Sequence, residues 1–328
     1  MQILSPQNFT DYELIDVGGF EKLERFGEYI TIRPEPQAVW DKTLSNTEWE
    51  KRAHIKFISR SSSSGEWKKL KQMPDQWRVS YKLGINALKK KEILEEVFLS
   101  KNLLNKQILN TTIDKQPEIE FRLGLTSFKH VGIFPEQAPN WEYIFESVHL
   151  LASNNKAKGE TAAPKVLNLF AYTGGASLAA KAAGADVTHV DSIKQVVTWS
   201  KTNMELSALN NIRWVVEDAL KFVKREEKRG NKYNGIILDP PAFGHGPNGE
   251  KWKLEDNINE MIKAVLNLLS DDQHFLILNA YSLGLSPLII ENLLKKKAGL
   301  NLNIGELFLQ ATEGNKLPLG VFGRFRNF

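Results

Sequence analysis

Two glycines and two aspartates follow successive apolar runs in an order typical of a nucleotide-binding site. Gly174 and Gly175 form a tight turn, and without a Cβ atom they let the backbone pass close to a ligand. Asp191 ends the next apolar run, where a carboxylate can accept hydrogen bonds from both hydroxyls of a ribose. Asp218 and Ala219 follow a third run, at a place suited to an adenine amino group. The set predicts a site for an adenosine-containing ligand.

A second candidate site is the bend Asp239-Pro240-Pro241, which is closely followed by Phe243. The two prolines fix φ at consecutive positions and remove two N–H donors, so the bend presents carbonyl groups and the Asp239 carboxylate on a rigid backbone. Such a bend can hold a planar nitrogen-containing group in line for a displacement while the Phe243 ring stacks on it. We therefore predict an acceptor pocket in which alignment matters more than acid–base chemistry.

Alternating strands and helices must position both candidate sites. Short apolar runs alternate with helical patterns from residue 166 onward, which predicts a doubly wound parallel sheet of the Rossmann-like α/β class. Ligands bind at the carboxyl ends of such strands. A hairpin at residues 312–316 separates the last two strands, so we expect seven strands with the last antiparallel. The expected strands cover residues 166–170, 187–191, 214–216, 235–238, 275–278, 304–310 and 319–326.

The helix after the second strand has a candidate cap at its start. Ser192 directly follows Asp191, and a serine hydroxyl can accept a hydrogen bond from a backbone N–H of the first helical turn. We expect this helix to begin behind Ser192 and to run to about Leu209.

The amino-terminal part of the chain has a different pattern. Residues 29–33 and 77–81 alternate between apolar and polar side chains, as half-exposed strands do, and a weak helical pattern covers residues 91–103. We expect a smaller β-rich or mixed domain over residues 1–127, with substrate recognition as its candidate role. A cofactor-binding domain is expected over residues 128–328.

Composition excludes several kinds of site. The chain of 328 residues has no cysteine, which excludes disulfides, thiolate metal sites and cysteine nucleophiles. Its six histidines lie far apart, so we expect no metal. The formal net charge of +4 is below that of a dedicated nucleic-acid binder. No apolar stretch is long enough for a membrane span and the first residues lack signal-peptide features, so a cytoplasmic protein is expected.

The main competing cofactor at the glycine turn is NAD. The fingerprint G-x-G-x-x-G is absent, because residues 171–177 read Ala-Tyr-Thr-Gly-Gly-Ala-Ser. The turn therefore offers few of the backbone groups that hold a pyrophosphate. A ligand with adenosine but without pyrophosphate fits better than NAD.

These motifs resemble those of class I S-adenosylmethionine-dependent methyltransferases. More narrowly, residues 167–175, 190–192, 217–219 and 239–243 are similar to the bacterial large-subunit (23S) ribosomal RNA methyltransferases with F-x-Y-T-G and D-P-P-x-F signatures. Residues 128–137 resemble the segment that precedes the cofactor domain of that family and closes over the cofactor. The resemblance covers about residues 120 to 328. It implies S-adenosylmethionine as cofactor, ribosomal RNA as partner, and a monomer or homodimer.

The resemblance also implies roles for individual residues. Thr173, Gly174 and Gly175 would contact the methionine part of the cofactor, Asp191 the ribose, and Asp218 and Ala219 the adenine. The cofactor-binding candidates are Phe134, Gln137, Phe170, Tyr172, Thr173, Gly174, Gly175, Asp191, Ser192, Asp218 and Ala219. The catalytic candidates are Asp239, Pro240 and Phe243, and the first and last of these would meet the target base.

The chain departs from part of that family in one respect. Members that methylate carbon 5 of cytosine need a cysteine after the fifth strand, where residues 278–282 read Leu-Asn-Ala-Tyr-Ser. A serine without an activating base is too weak a nucleophile to replace it. The leading hypothesis is therefore methyl transfer to a nitrogen of a ribosomal RNA base. A small-molecule or protein substrate, a non-catalytic binding module and an NAD-dependent oxidoreductase stay open as alternatives.

Overall fold

A large mixed sheet forms the frame of the molecule in the computed structural model, which describes residues 1–60, 64–84, 116–281 and 284–328. Within these residues the sheet has eight strands. They are β1 (Gln2–Leu4), β9 (Lys165–Leu169), β10 (Asp186–Asp191), β11 (Ile212–Val216), β12 (Gly235–Leu238), β15 (Phe275–Ala280), β16 (Asn303–Gln310) and β17 (Lys316–Arg326). Across the sheet they follow the order β1, β16, β17, β15, β12, β9, β10, β11.

All seven strands predicted from the sequence are present, and β17 runs antiparallel to both of its neighbours, β15 and β16. The α/β prediction is therefore confirmed. The eighth strand of the described sheet was not predicted. Gln2–Leu4 pair in parallel with residues 305–307 at the free edge of β16, so the start of the chain belongs to the large sheet. Three residues are too few to show a strand period.

Helices cover both faces of this sheet, as a doubly wound fold requires. One face packs against α2 (Ala138–Ala157) and α3 (Gly175–Ala182), and the other against α5 (Ala219–Lys228), α6 (Leu254–Leu268) and α7 (Pro287–Ala298). Side chains of one strand alternate between the two cores, since Ile237 points to the first and Ile236 to the second. The apolar runs of β12 and β15 are continuous because both faces of these strands are buried.

The prediction that Ser192 caps the start of α4 (Lys194–Leu206) was wrong. The residue before this helix is Ile193, and no side chain caps the helix there. Asp191 supplies a carboxylate instead, since its Oδ1 accepts a hydrogen bond from Ile193 N at 2.9 Å. The helix ends at Leu206 and so is shorter than predicted. By contrast, Asp218 caps α5, accepting a hydrogen bond from Lys221 N at 2.9 Å.

The amino-terminal part is β-rich, as predicted. A sheet with five strands in the described residues contains β2 (Tyr12–Gly18), β3 (Glu21–Phe26), β4 (Tyr29–Pro34), β5 (Ile55–Ser59) and β6 (Gly65–Lys69). A separate pair contains β7 (Gln76–Lys82) and β8 (Glu118–Gly124), and α1 (Asn46–Arg52) lies between β4 and β5 in the chain. The helical pattern at residues 91–103 lies outside the described residues. Among the helices that are described, none has the length and apolarity needed to cross a membrane.

Helix α4 contacts β8 and Gly132 and so holds them against the large sheet. Trp199 Nε1 donates to Arg122 O at 2.7 Å, and Asn203 Oδ1 accepts from Arg122 N at 2.9 Å. The Trp199 ring also packs against Gly132, where an added Cβ atom would lie 2.3 Å from the ring. Gly132 has a φ of +107°, so glycine is required there both by the backbone and by the packing.

We predict that Gly132→Ala lowers the free energy of unfolding by about 3 kcal/mol. The added Cβ atom would clash with the rigid Trp199 ring, and alanine is also strained at a positive φ. Gly159→Ala is the matched control, since Gly159 has a φ of +81° but no atom near its Cβ position. Urea denaturation measures both variants. Equal losses of stability in the two variants would mean that the Trp199 contact does not constrain residue 132.

Candidate active site

A cavity of about 700 Å³ opens at the carboxyl ends of β9 to β12, and a smaller pocket of about 60 Å³ adjoins it beside the glycine turn. The structure brings every site residue predicted from the sequence to these two spaces. The cavity is lined by Phe134, Gln137, Phe170, Tyr172, Asp191, Ser192, Asp218, Ala219, Asp239, Pro240 and Phe243. The smaller pocket is lined by Thr173, Gly174 and Gly175.

The glycine turn is strained and tightly held. Phe170 and Tyr172 have φ values of +56° and +49°, a region that residues with a Cβ atom rarely adopt, and Gly174 has a φ of +96°. The turn carbonyls are fixed by α4, because Ser200 Oγ donates to Tyr172 O at 2.6 Å. A rigid backbone with stored strain at a pocket wall is typical of a ligand site.

Gly175 has a second reason to be glycine, which the sequence did not show. A Cβ atom there would lie 2.8 Å from the ring of Trp141 on α2. The turn thus packs directly on a buried tryptophan that also lines the smaller pocket. The Thr173 hydroxyl donates to Gly132 O at 2.7 Å and so binds residues 128–137 to the turn.

Asp191 is held in place by the backbone around it. Its Oδ2 accepts from Tyr172 N at 2.9 Å, and its other oxygen accepts from Ile193 N. Burial raises the pKa of Asp191 above its ordinary value, and the backbone N–H groups of Ile193, Tyr172 and Ser192 oppose this shift. Each carboxylate oxygen has a further lone pair, so the side chain can still accept hydrogen bonds from a ligand.

Asp239 forms a pair with Asn279 that the sequence did not predict. Leu238 lies beside Leu278 in the register of β12 and β15, and Asn279 Nδ2 donates to Asp239 Oδ1 at 2.7 Å. Burial raises the pKa of Asp239 to about 6, and the hydrogen bond from Asn279 opposes this shift. The signal in the sequence that could have indicated this pair is the polar residue Asn279, directly after the apolar run 275–278.

A small hairpin of β13 (Phe243–His245) and β14 (Lys251–Lys253) overhangs the cavity. Trp252 anchors it, since its Nε1 donates to Pro241 O at 2.7 Å and its ring lies 4.8 Å from that of Phe170. The Phe243 side chain is 69% exposed. Its ring is therefore available to stack on a planar group in the cavity.

A residue just beyond the amino-terminal sheet contacts the wall of the cavity. Tyr281, on the cavity wall, donates a hydrogen bond from its hydroxyl to Glu35 just beyond β4 at 3.3 Å. Glu136 also lines the cavity and is 4% exposed, and burial raises its pKa to about 7 while Lys22 opposes the shift. Glu35 and Tyr281 are far apart in sequence, so no local pattern indicated their contact. In the described part of the chain, no group of three or more His, Asp or Glu side chains could hold a metal ion.

Comparisons with known proteins agree with this architecture. A family model described as Conserved hypothetical protein 95 matches residues 147–275. The chain is similar to the solved SAM-dependent methyltransferase of Agrobacterium tumefaciens, with 33% identity and a TM-score of 0.79 over 99% of this chain and 93% of that one. It is also similar to SMU.776, a methyltransferase solved with SAH, at 17% identity and a TM-score of 0.65 over 97% and 76% of the two chains. At that identity the likeness concerns the fold alone.

A curated relative is the ribosomal RNA large subunit methyltransferase K/L of Shewanella frigidimarina. It is 30% identical over 164 residues, which cover 49% of this chain and 21% of that protein. The chain thus spans about a fifth of the length of the curated relatives of this name that it matches.

We predict that Glu136 makes the protein less stable as the pH rises. Its pKa is about 7 in the folded protein and near 4.5 in the unfolded chain, so between these values only the folded state holds the proton. Stability should fall through this window by up to roughly 3 kcal/mol. Glu136→Gln removes the titration, so the variant should be more stable than the native protein at pH 8 and similar at pH 5. Urea denaturation at both pH values, with the exposed Glu205→Gln as control, checks this. An unchanged pH dependence in Glu136→Gln would contradict it.

Proposed function

Because the chain belongs to the S-adenosylmethionine-dependent methyltransferases, we propose that it transfers the methyl group to a nitrogen of a ribosomal RNA base. The enzyme uses S-adenosylmethionine as its methyl donor. The choice of substrate is supported by the K/L relatives, which are named for ribosomal RNA. The observation that carries the proposal is the placement of Asp239 and Phe243 on the same cavity as Asp191 and Asp218.

The residues present fit the cofactor. The cavity volume of about 700 Å³ lies within the usual range for ligand pockets, roughly 300–1,000 Å³. We propose that Asp191 accepts hydrogen bonds from the ribose hydroxyls and that the edge at Asp218 and Ala219 holds the adenine. The capping bond of Asp218 occupies one oxygen and leaves the other free to accept. The backbone at Gly174 and Gly175, in the smaller pocket, would hold the methionine part.

Gln137 and Phe134 complete this site from outside the sheet. Asn140 Nδ2 donates to Gln137 Oε1 at 2.9 Å, which fixes the side chain at the junction of the cavity and the smaller pocket. The Phe134 ring lies 5.2 Å from that of Tyr172. The two rings would cover the bound cofactor and exclude water from the reacting atoms.

The residues on the acceptor side of the cavity can align an acceptor nitrogen with the methyl group. The cofactor, when bound, supplies an electrophilic methyl group. The acceptor nitrogen attacks with its lone pair, while a hydrogen bond from its N–H to Asp239 keeps that lone pair directed into the cavity. Asn279 holds the Asp239 carboxylate, Pro240 and Pro241 keep the backbone rigid, and Phe243 stacks on the base. The ionised Asp239 also offers an acceptor for the proton that the methylated nitrogen releases.

A nitrogen target agrees with the missing nucleophile. The chain contains no cysteine, and the end of β15 presents Asn279 in the region where carbon-5 methyltransferases of the related family carry one. An amide cannot add to a pyrimidine ring. A nitrogen acceptor needs no covalent intermediate, because its own lone pair attacks.

We also propose that residues 1–127 recognise the substrate, since Glu35 reaches the cavity wall through Tyr281. We further propose that the enzyme acts in the cytoplasm, as a monomer or homodimer. Residues 128–328 would form the catalytic domain, with β1 as an addition from the start of the chain.

Methyl transfer to isolated RNA tests the proposed substrate. Ribosomal RNA from a strain without the gene is incubated with the enzyme and labelled S-adenosylmethionine. We expect the label in large-subunit RNA and a single methylated nitrogen on mass-spectrometric mapping. Unlabelled RNA together with a labelled metabolite or protein fraction would favour the alternative substrate classes.

We predict that Asp239→Ala lowers kcat at least about 100-fold, because the acceptor loses the group that aligns it. Its affinity for S-adenosylhomocysteine should stay within about two-fold by calorimetry, since the carboxylate is assigned to the acceptor. The native enzyme should lose activity as the pH falls through about 6, where Asp239 gains a proton. Asp256→Ala, at an exposed position of α6, is the control. Unchanged turnover in Asp239→Ala would remove this residue from the mechanism.

A further inference from the structure

Acidic side chains far outnumber basic ones in the lining of the cavity. Its titratable acids are Asp191, Glu217, Asp218, Asp239 and Glu136. An RNA substrate brings further negative charge to this surface, so a cation is required wherever a phosphate comes close. Lys129 is the one lysine or arginine among the described residues that line the cavity.

His130, which lines the cavity beside Lys129, does not supply that charge. Burial, together with the positive charges of Arg33 and Lys129, lowers the pKa of His130 to about 3, so this ring is neutral at physiological pH. His245 lies on the exposed hairpin strand β13.

Among the described residues Lys129 has no carboxylate partner, although its cationic neighbours do. Lys22 pairs with Glu35 at 3.2 Å, and Arg33 pairs with Glu24 at 2.7 Å. The Lys129 ammonium donates to Pro34 O at 3.3 Å, and no carboxylate of the described residues lies within ion-pair distance of it. The side chain is half-buried, so an unpaired charge there is costly until a ligand compensates it.

The amino-terminal sheet holds this lysine in place. Arg33 Nη1 on β4 donates to Lys129 O at 3.1 Å, and the same guanidinium is fixed by the buried Glu24. Lys129 also lines a small pocket together with Arg33 and Pro34 of β4 and with Glu35 and Glu136. Because its ammonium donates to Pro34 O, which lines the same small pocket, the charge lies where that pocket adjoins the cavity.

We propose that Lys129 binds a phosphate next to the target nucleotide and so sets the position of the RNA strand in the acceptor pocket. This rests on the proposed function, because it needs an RNA acceptor. Beside the N–H group that donates to Pro34 O, the ammonium has two further donors, and these together with its positive charge suit a phosphate oxygen. A phosphate contact positions the strand without reading its sequence.

The test compares Lys129→Met, which keeps the length of the side chain and removes its charge, with Lys181→Met. Lys181 is a matched control, since it is also half-buried, donates to a backbone carbonyl, Ala185 O, at 3.2 Å and does not line the cavity. Steady-state methylation of RNA is measured at several salt concentrations. The affinity for S-adenosylhomocysteine and the melting temperature are measured for the same proteins.

For Lys129→Met we expect the KM for RNA to rise about ten-fold, with kcat and cofactor affinity within about two-fold of the native values. The salt dependence of log(kcat/KM) should become shallower by about 0.7, as for one lost phosphate contact to a single strand. Lys129→Arg should restore most of the affinity, and Lys181→Met should behave as the native enzyme.

The possible results distinguish a failure of the phosphate contact from a failure of the proposed function. Native transfer to RNA with an unchanged KM and salt slope in Lys129→Met overturns the phosphate contact alone. So does weaker cofactor binding in Lys129→Met, which would assign the lysine to the cofactor. Failure of the native enzyme to methylate any RNA overturns the proposed function and this inference together.

Discussion

The site depends on one constraint, which is the register of the three central parallel strands β9, β12 and β15. This register places Leu238 beside both Leu169 and Leu278. The residues that follow these three positions therefore lie side by side, where β9 and β12 end and β15 continues to Ala280. Asp239 and Asn279 thus meet at 2.7 Å directly beside the glycine turn. A shift of one residue in this register would turn these side chains to the other face of the sheet and separate them.

Three acidic side chains, Asp191, Asp239 and Glu136, lie close to this edge of the sheet and are partly or fully buried. Burial raises the pKa of Asp191, Asp239 and Glu136. Backbone N–H groups and an amide stabilise the first two carboxylates, whereas no described side chain donates a hydrogen bond to Glu136. Positive charge near this edge comes from Arg33 of β4, which pairs with Glu24, and from Lys129, which has no ion-pair partner among the described residues. Of the two, Lys129 is the one that lines the cavity.

Much of this arrangement could be predicted from the sequence, because it follows local patterns. Apolar runs predicted the seven main strands, and acidic residues directly after them predicted the cavity wall. Contacts between distant segments could not be predicted, such as the pairing of Gln2–Leu4 with β16 or the bond from Tyr281 to Glu35. The predicted cap at Ser192 was wrong because the Asp191 carboxylate accepts a hydrogen bond from Ile193 N, just before the helix.

The most direct test of the account is calorimetric titration of the chain with S-adenosylhomocysteine. The native protein should bind it, and Asp191→Ala should weaken binding by at least about ten-fold, the loss expected for hydrogen bonds to a charged group. Asp186→Ala, at the opposite and exposed end of the same strand, should bind as the native protein does. No binding by the native protein, or equal affinity in Asp191→Ala, would contradict the claim that these strand ends hold the cofactor.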